Sequence, residues 1–140
     1  MTRDDVCAVL DRRRDAMANR DMAAFAELYD ANARLESPLA GAVTGREAIA
    51  EGTRLFYKAF PDAVVTEKPP IIDGTRAVIV AEAIGTHVGS IMGLEPGGRR
   101  FRFALTFVLE LEADLIVRER RIYDFTGLLV QIGVLKAKPA

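Results

Sequence analysis

Three kinds of side chain in this 140-residue chain can do acid/base or electrostatic chemistry at spacings that matter: Asp124 with Arg120 and Arg118 upstream, the lone His87, and Arg13. Arg118, Arg120 and Asp124 recur with period two on a segment rich in Val, Ile and Tyr, so a strand there puts all three side chains on one face. A carboxyl at the closed side of an apolar pocket is pushed toward its neutral form, and a nearby Arg pulls it back. Asp124 could therefore be tuned for general acid/base work, with Arg120 stabilising developing oxyanion charge. The competing reading is a structural ion pair between Arg120 and Asp124 at the rim of the sheet. His87 lies in Gly85-Thr86-His87-Val88-Gly89 at a strand end, where the glycines either open room for a ligand, with His87 as a polar pocket contact, or relieve crowding. One histidine and one cysteine, Cys7, make no metal site, and Cys7 reads as a helix-packing residue. No phosphate-binding glycine motif appears, so neither a metal nor a cofactor is expected.

The elements that would position these groups follow from pattern. Thr2 to Asp5 forms a capping box, after which Val6, Val9, Leu10, Arg13 and Met17 recur at helical spacing to about Ala18. Arg12-Arg13-Arg14 is offset by Asp4, Asp5, Asp11 and Asp15 and reads as a solvated face, although Arg13 also falls on the inward stripe. Asp21 caps a short helix carrying Met22, Phe25 and Leu28, and Asp30-Ala31-Asn32 ends it. Arg34 to Ser37 is a short strand stopped by Pro38. Thr44-Gly45-Arg46-Glu47 is a second capping box, opening a helix with Ile49, Thr53, Phe56 and Phe60 inward until Pro61.

Beyond Pro61 the pattern turns extended over residues 63–68, 76–88, 101–111 and 115–123, an antiparallel meander. Asp73-Gly74 and Ala113-Asp114 mark tight turns, and residues 89–98 form a longer mobile loop. A two-residue turn at Ala113-Asp114 pairs Leu111 with Ile116, Leu109 with Arg118, Phe107 with Arg120, Leu105 with Ile122 and Phe103 with Asp124. The inward, pocket-lining face then carries Phe103, Leu105, Phe107, Arg118, Arg120, Ile122 and Asp124, with Phe56 and Arg13 contributed by the helices. Glu119, Arg121 and Tyr123 fall on the reverse face. A one-residue error would exchange the two. Residues 127–133 pack as a last turn of helix. The whole is one α+β domain over residues 1–140, with helices covering one face of the sheet.

Composition limits the partners. With 19 Lys+Arg against 20 Asp+Glu the net charge is −1, which gives no field for nucleic acid or an anionic membrane. No signal-like or membrane-spanning run is present, so a cytoplasmic protein is expected.

The helical half, with Asn19-Arg20-Asp21-Met22, Leu28-Tyr29-Asp30 and Thr44-Gly45-Arg46-Glu47-Ala48-Ile49, resembles the nuclear transport factor 2-like superfamily. Gly85 to Gly89, Leu94 to Phe101 and Tyr123 to Gly133 resemble its SnoaL-like polyketide and ester cyclase branch, and the resemblance spans nearly the whole chain. It implies a curved sheet wrapped around helices as a cone, a deep apolar pocket, and a homodimer through the outer face of the sheet. It also implies a cofactor-independent acid/base enzyme of aldol-cyclase type acting on an apolar carbonyl compound, with Asp124 in the place of the branch's acid/base. Arg118 and Arg120 stand where the branch often has Glu and Trp. Arg13, Ser37 and Phe107 stand where ketosteroid isomerases need Tyr and two acids, which disfavours that chemistry. The superfamily's epoxide hydrolases need two carboxylates bridged by an Arg, and no second inward carboxylate is evident. The alternative is a non-catalytic binding or scaffold domain of the same fold.

Overall fold

The computed structural model describes residues 1–136. Helix α1 (Arg3–Ala18) opens on the expected box: Thr2 Oγ1 accepts from the Asp5 N–H and Asp5 Oδ2 from the Thr2 N–H. Helix α2 (Met22–Glu27) is capped by Asp21, which accepts from the Ala24 N–H. Strand β1 (Tyr29–Ser37) starts five residues before Arg34, so Asp30-Ala31-Asn32 lies within the strand and does not break the chain. It turns at Pro38 into β2 (Gly41–Thr44), a strand that the sequence pattern did not mark. Helix α3 (Arg46–Ala59) has Gly45 at its N-cap with φ +99° and no side-chain cap, so the second expected box does not form. Strands β3 (Val64–Glu67), β4 (Ile71–Asp73), β5 (Arg76–Thr86), β6 (Arg100–Glu112) and β7 (Leu115–Tyr123) follow, and α4 (Phe125–Gln131) is the last element of the described residues.

The strands form one curved, unclosed sheet in the order β2-β1-β7-β6-β5-β3, with β4 also on β5. The meander is antiparallel, but β1 lies parallel to β7, so the sheet is mixed and not the purely antiparallel one expected. That pairing brings the first strand beside the last and bends the sheet around the helices.

The inner face of β6 is the anchor. Phe101, Phe103, Leu105, Phe107, Leu109 and Leu111 are all buried. At about 2 kcal/mol for each large apolar side chain, their burial outweighs any other preference in setting which face looks inward. The Ala113-Asp114 turn also forms where expected, with φ of 49° and 65°, the paired positive values of a type I′ turn. Leu111 pairs with Ile116 as expected.

The next pair departs from that register. Val117 is an extra residue on β7, a bulge between Ile116 and Arg118, and Glu110 then pairs with Arg118, Leu109 with Glu119 and Phe107 with Arg121. Beyond the bulge the faces are exchanged. Glu119, Arg121 and Tyr123 point inward, whereas Arg118 and Arg120 are exposed and Ile122 is half exposed on the outer face.

The glycines around His87 relieve crowding. A Cβ on Gly89 would lie 2.4 Å from the Lys58 carbonyl oxygen, and one on Gly85 2.7 Å from the Phe101 ring. The loop after β5 is thereby seated against the end of α3, where the Gly89 N–H donates to the Ala59 carbonyl.

Candidate active site

The site is built outward from a buried arginine. Arg13 sits on the inward stripe of α1 and is fully buried, not on a solvated face, and a buried guanidinium requires a carboxylate. The bulge in β7 supplies one. Arg13 Nε donates to Glu119 Oε1 at 3.1 Å, and its Nη2 donates to Glu119 Oε2 at 3.0 Å. Tyr29, at the start of β1, donates its hydroxyl to Glu119 Oε1 at 2.5 Å. Arg121 Nε donates to Glu119 Oε2 at 2.7 Å from the cavity side. Without the bulge, β7 would carry two arginines inward and no carboxylate. The Arg13 guanidinium also lies 4.3 Å from the centroid of the Phe107 ring, a cation–π contact in the core.

Burial alone would push the Glu119 carboxyl up. The charges of Arg13 and Arg121, with the hydrogen bonds from Arg13 and Tyr29, outweigh it and hold the group at about 2. Glu119 is therefore an anion at neutral pH that fixes two arginines, not a base. Burial raises the Tyr29 hydroxyl above its ordinary value. On the far side of Arg13, Glu67 Oε2 lies 3.5 Å from Nη1, and desolvation raises its carboxyl against the pull of that arginine.

In front of this cluster lies an apolar cavity of about 80 Å³. Its walls are Ile49, Thr53, Phe56 and Tyr57 of α3, Phe103, Leu105 and Phe107 of β6, and the β1–β2 hairpin through Leu35, Leu39 and Val43. Arg121 and Tyr123 of β7 complete it. Arg121 is the one charged group among the described lining residues, with 16% of its side chain exposed. Its Nη2 donates to Thr53 Oγ1 at 3.2 Å, and the Thr53 hydroxyl donates to the Ile49 carbonyl. Burial raises the Tyr57 and Tyr123 hydroxyls, so both phenols stay neutral donors. Tyr123 packs at a tilt of 32° against Phe103, 5.1 Å between ring centroids.

A second, much smaller apolar chamber lies under the 89–98 loop, lined by Ile91, Met92, Leu94 and Leu129, and it shares Leu39, Phe56 and Tyr123 with the first.

The sequence-derived candidates separate accordingly. Phe56, Phe103, Leu105 and Phe107 line the cavity. Arg13 is buried behind it and reaches it through Glu119 with Arg121 and through the Phe107 ring. Arg118 and Arg120 lie on the outer face, 3.7 Å from Glu110 and 3.9 Å from Glu36, because the bulge turns them outward. Ile122 is outward for the same reason. Asp124 has left the strand. It is exposed and caps α4, accepting from the Gly127 N–H at 2.8 Å, so it makes no pair with Arg120 and does not close the pocket. His87 is fully buried edge-on to Phe60, neither ring nitrogen has a hydrogen-bond partner, and it does not reach the cavity. The groups missed by pattern are Glu119, Arg121, Tyr57 and Tyr123. Their one sequence signal was Arg13, an arginine on an apolar helical stripe that demanded an inward carboxylate. Among the described residues no cluster of His, Cys, Asp and Glu could hold a metal ion, and no helix is long and apolar enough to cross a membrane.

Residues 8–132 match the model of the SnoaL-like polyketide cyclase family, and the chain belongs to that family. No curated protein sequence matches it. The fold is similar to that of a protein assigned as a SnoaL-like polyketide cyclase from Jannaschia sp. CCS1, at 18% identity and TM-score 0.85, covering 96% of this chain and 94% of that one. It is also similar to AclR of Streptomyces galilaeus, assigned as a hydroxylase, at 21% identity and TM-score 0.83, covering 99% and 91%. A third likeness is to IdmH of Streptomyces antibioticus, assigned as a polyketide cyclase, at 23% identity and TM-score 0.77, covering 92% and 99%. At these identities the structures bear on the fold, and the family match supports a cyclase-type function in coarse outline.

Proposed function

We propose that this protein is a cofactor-independent enzyme of cyclase type that binds a mostly apolar, carbonyl-bearing small molecule in the cavity and stabilises an enolate there. The observation that carries this reading is Arg121: a guanidinium with unused N–H groups, rigidly held by Glu119 and Thr53, facing an otherwise apolar cavity. Aldol closure needs the α-proton of the acidic diketone carbon lost to solvent water, the enolate oxygen stabilised while the carbon–carbon bond forms, and then a proton delivered to the new alkoxide and replaced from water. A fixed guanidinium in a low-dielectric cavity suits the first task, and the neutral phenols of Tyr57 and Tyr123 suit the second. In this reading Arg121 takes the oxyanion role first given to Arg120, and Asp124 and His87 have no part in the chemistry.

The test is the aldol closure of a linear 1,3-diketone tethered to an aryl ketone, followed by absorbance of the ring-closed product. Wild-type protein should accelerate closure over buffer. Arg121→Met should lose roughly 10²–10³ in kcat, the scale of removing one oxyanion donor, while Asp124→Asn and Arg120→Gln retain the wild-type rate. Equal loss in Asp124→Asn would overturn the assignment.

One observation favours a second reading, a binding domain without turnover: among the described lining residues there is no carboxylate or imidazole to act as base. Saturable binding of the diketone without acceleration would select it. A dimer is proposed through the outer face, where Val78, Val80, Val108 and Ile122 make an apolar centre flanked by Glu110 with Arg118 and Glu36 with Arg120. An Ile122→Arg variant that runs as a monomer in light scattering, beside a dimeric wild type, would support it.

A further inference from the structure

We infer that the cavity takes its ligand as an anion, a small apolar molecule with a free carboxylate seated on Arg121 and its apolar body directed toward the chamber under the 89–98 loop. This rests on the reading of the cavity as the functional site and goes beyond it by naming the charge and shape of what binds.

The argument begins with donors. A guanidinium carries five N–H groups. Arg121 uses one on Glu119 Oε2 and one on Thr53 Oγ1, and the other three have no acceptor among the described residues. Glu119 cannot take more, because its oxygens already receive two N–H groups from Arg13, one from Arg121 and the Tyr29 hydroxyl. The one carboxylate bonded to Arg121 is therefore shared with Arg13. Glu67 pairs with Arg13 at 3.5 Å and does not line the cavity, so the charged group that faces the apolar space is the positive one, Arg121. In such a space a neutral ester or ketone satisfies hydrogen bonds but leaves the charge, whereas a carboxylate satisfies both and its two oxygens match the guanidinium fork.

The shape follows from volume. At about 80 Å³ the main cavity is roughly half the 150 Å³ cavity known to hold benzene. Any longer body must continue past Leu39, Phe56 and Tyr123, the residues common to both chambers, into surroundings made only of Ile91, Met92, Leu94 and other apolar groups.

The test uses octanoate and methyl octanoate on the full chain, by calorimetry at pH 7. Octanoate should bind at least tenfold more tightly than its methyl ester, and Arg121→Gln should erase the difference. A second arm needs no variant: with octanoate labelled with carbon-13 at the carboxyl, the bound carboxyl should titrate at lower pH than the free acid. Octanoate that fails to bind at millimolar concentration, an ester that binds as tightly as the acid, or a bound carboxyl titrating at higher pH would each overturn the inference. Carboxylate preference without aldol catalysis would leave this inference standing and remove the cyclase reading; catalysis of neutral diketones with no carboxylate preference would do the reverse.

Discussion

The two faces of β7 carry nearly the same chemistry and have opposite fates. Outward, Arg118 and Arg120 lie 3.7 and 3.9 Å from carboxylates, with 60% and 65% of their side chains exposed. Inward, Glu119 is fully buried and accepts four hydrogen bonds, and Arg121, 16% exposed, donates two, all below 3.3 Å. Water screens the first set, so those pairs contribute little. Desolvation makes the second set expensive to break and gives it a field to offer a ligand. Which arginine belongs to which set is decided by one residue, Val117, and by the demand of Arg13 for a carboxylate.

The largest effect should come from breaking that assignment outright. Glu119→Lys puts a third cation beside Arg13 and Arg121, so that β7 must either bury three like charges or lose its ladder with β6. Circular dichroism should then show no cooperative unfolding transition.

Glu119→Gln keeps the shape and removes the charge, leaving Arg121 without an anion and Arg13 with Glu67 alone at 3.5 Å. It should cost about 3–5 kcal/mol in urea unfolding, the scale of breaking a buried pair. The same group gives a pH signature. Its folded value of about 2 lies below the ordinary 4.5, so its stabilisation is full above 4.5 and lost as pH falls toward 2. Wild type should lose about 3 kcal/mol over that window relative to Glu119→Gln.

Where β7 ends, Asp124→Ala removes only a helix cap and should cost about 1 kcal/mol, with aldol turnover unchanged. At the smallest end, Arg120→Ala on the outer face should shift stability by no more than about 0.5 kcal/mol.

Much of the frame was legible in the chain. The helical stripes of α1 and α3, the alternation Phe103, Leu105, Phe107, Leu109 and the Ala113-Asp114 turn are local patterns, and each formed where periodicity placed it. The inner face of β6 could be read because six apolar residues all favour it. β7 could not be read alone, because its inward set is polar and a strand with charges on both faces does not fix its own register. The parallel pairing of β1 with β7 is a long-range contact with no local signature. Asp124 was misplaced by continuing a period of two past the point where its own side chain starts a helix. The correction was available in Arg13, whose place among Val6, Val9, Leu10 and Met17 could be satisfied only by an inward acid.

The most direct measurement is of the arginine side chains themselves, by nitrogen-15 NMR of the Nε–H groups in the native protein, with assignment through Arg121→Met and Arg120→Met. The account predicts that the Arg13 and Arg121 Nε protons, both bonded to Glu119, give slowly exchanging, well-dispersed signals, while those of Arg118 and Arg120 exchange rapidly with water. A protected Arg120 signal beside a rapidly exchanging Arg121 would mean that the register of β7 is the unbulged one and would contradict the site described above.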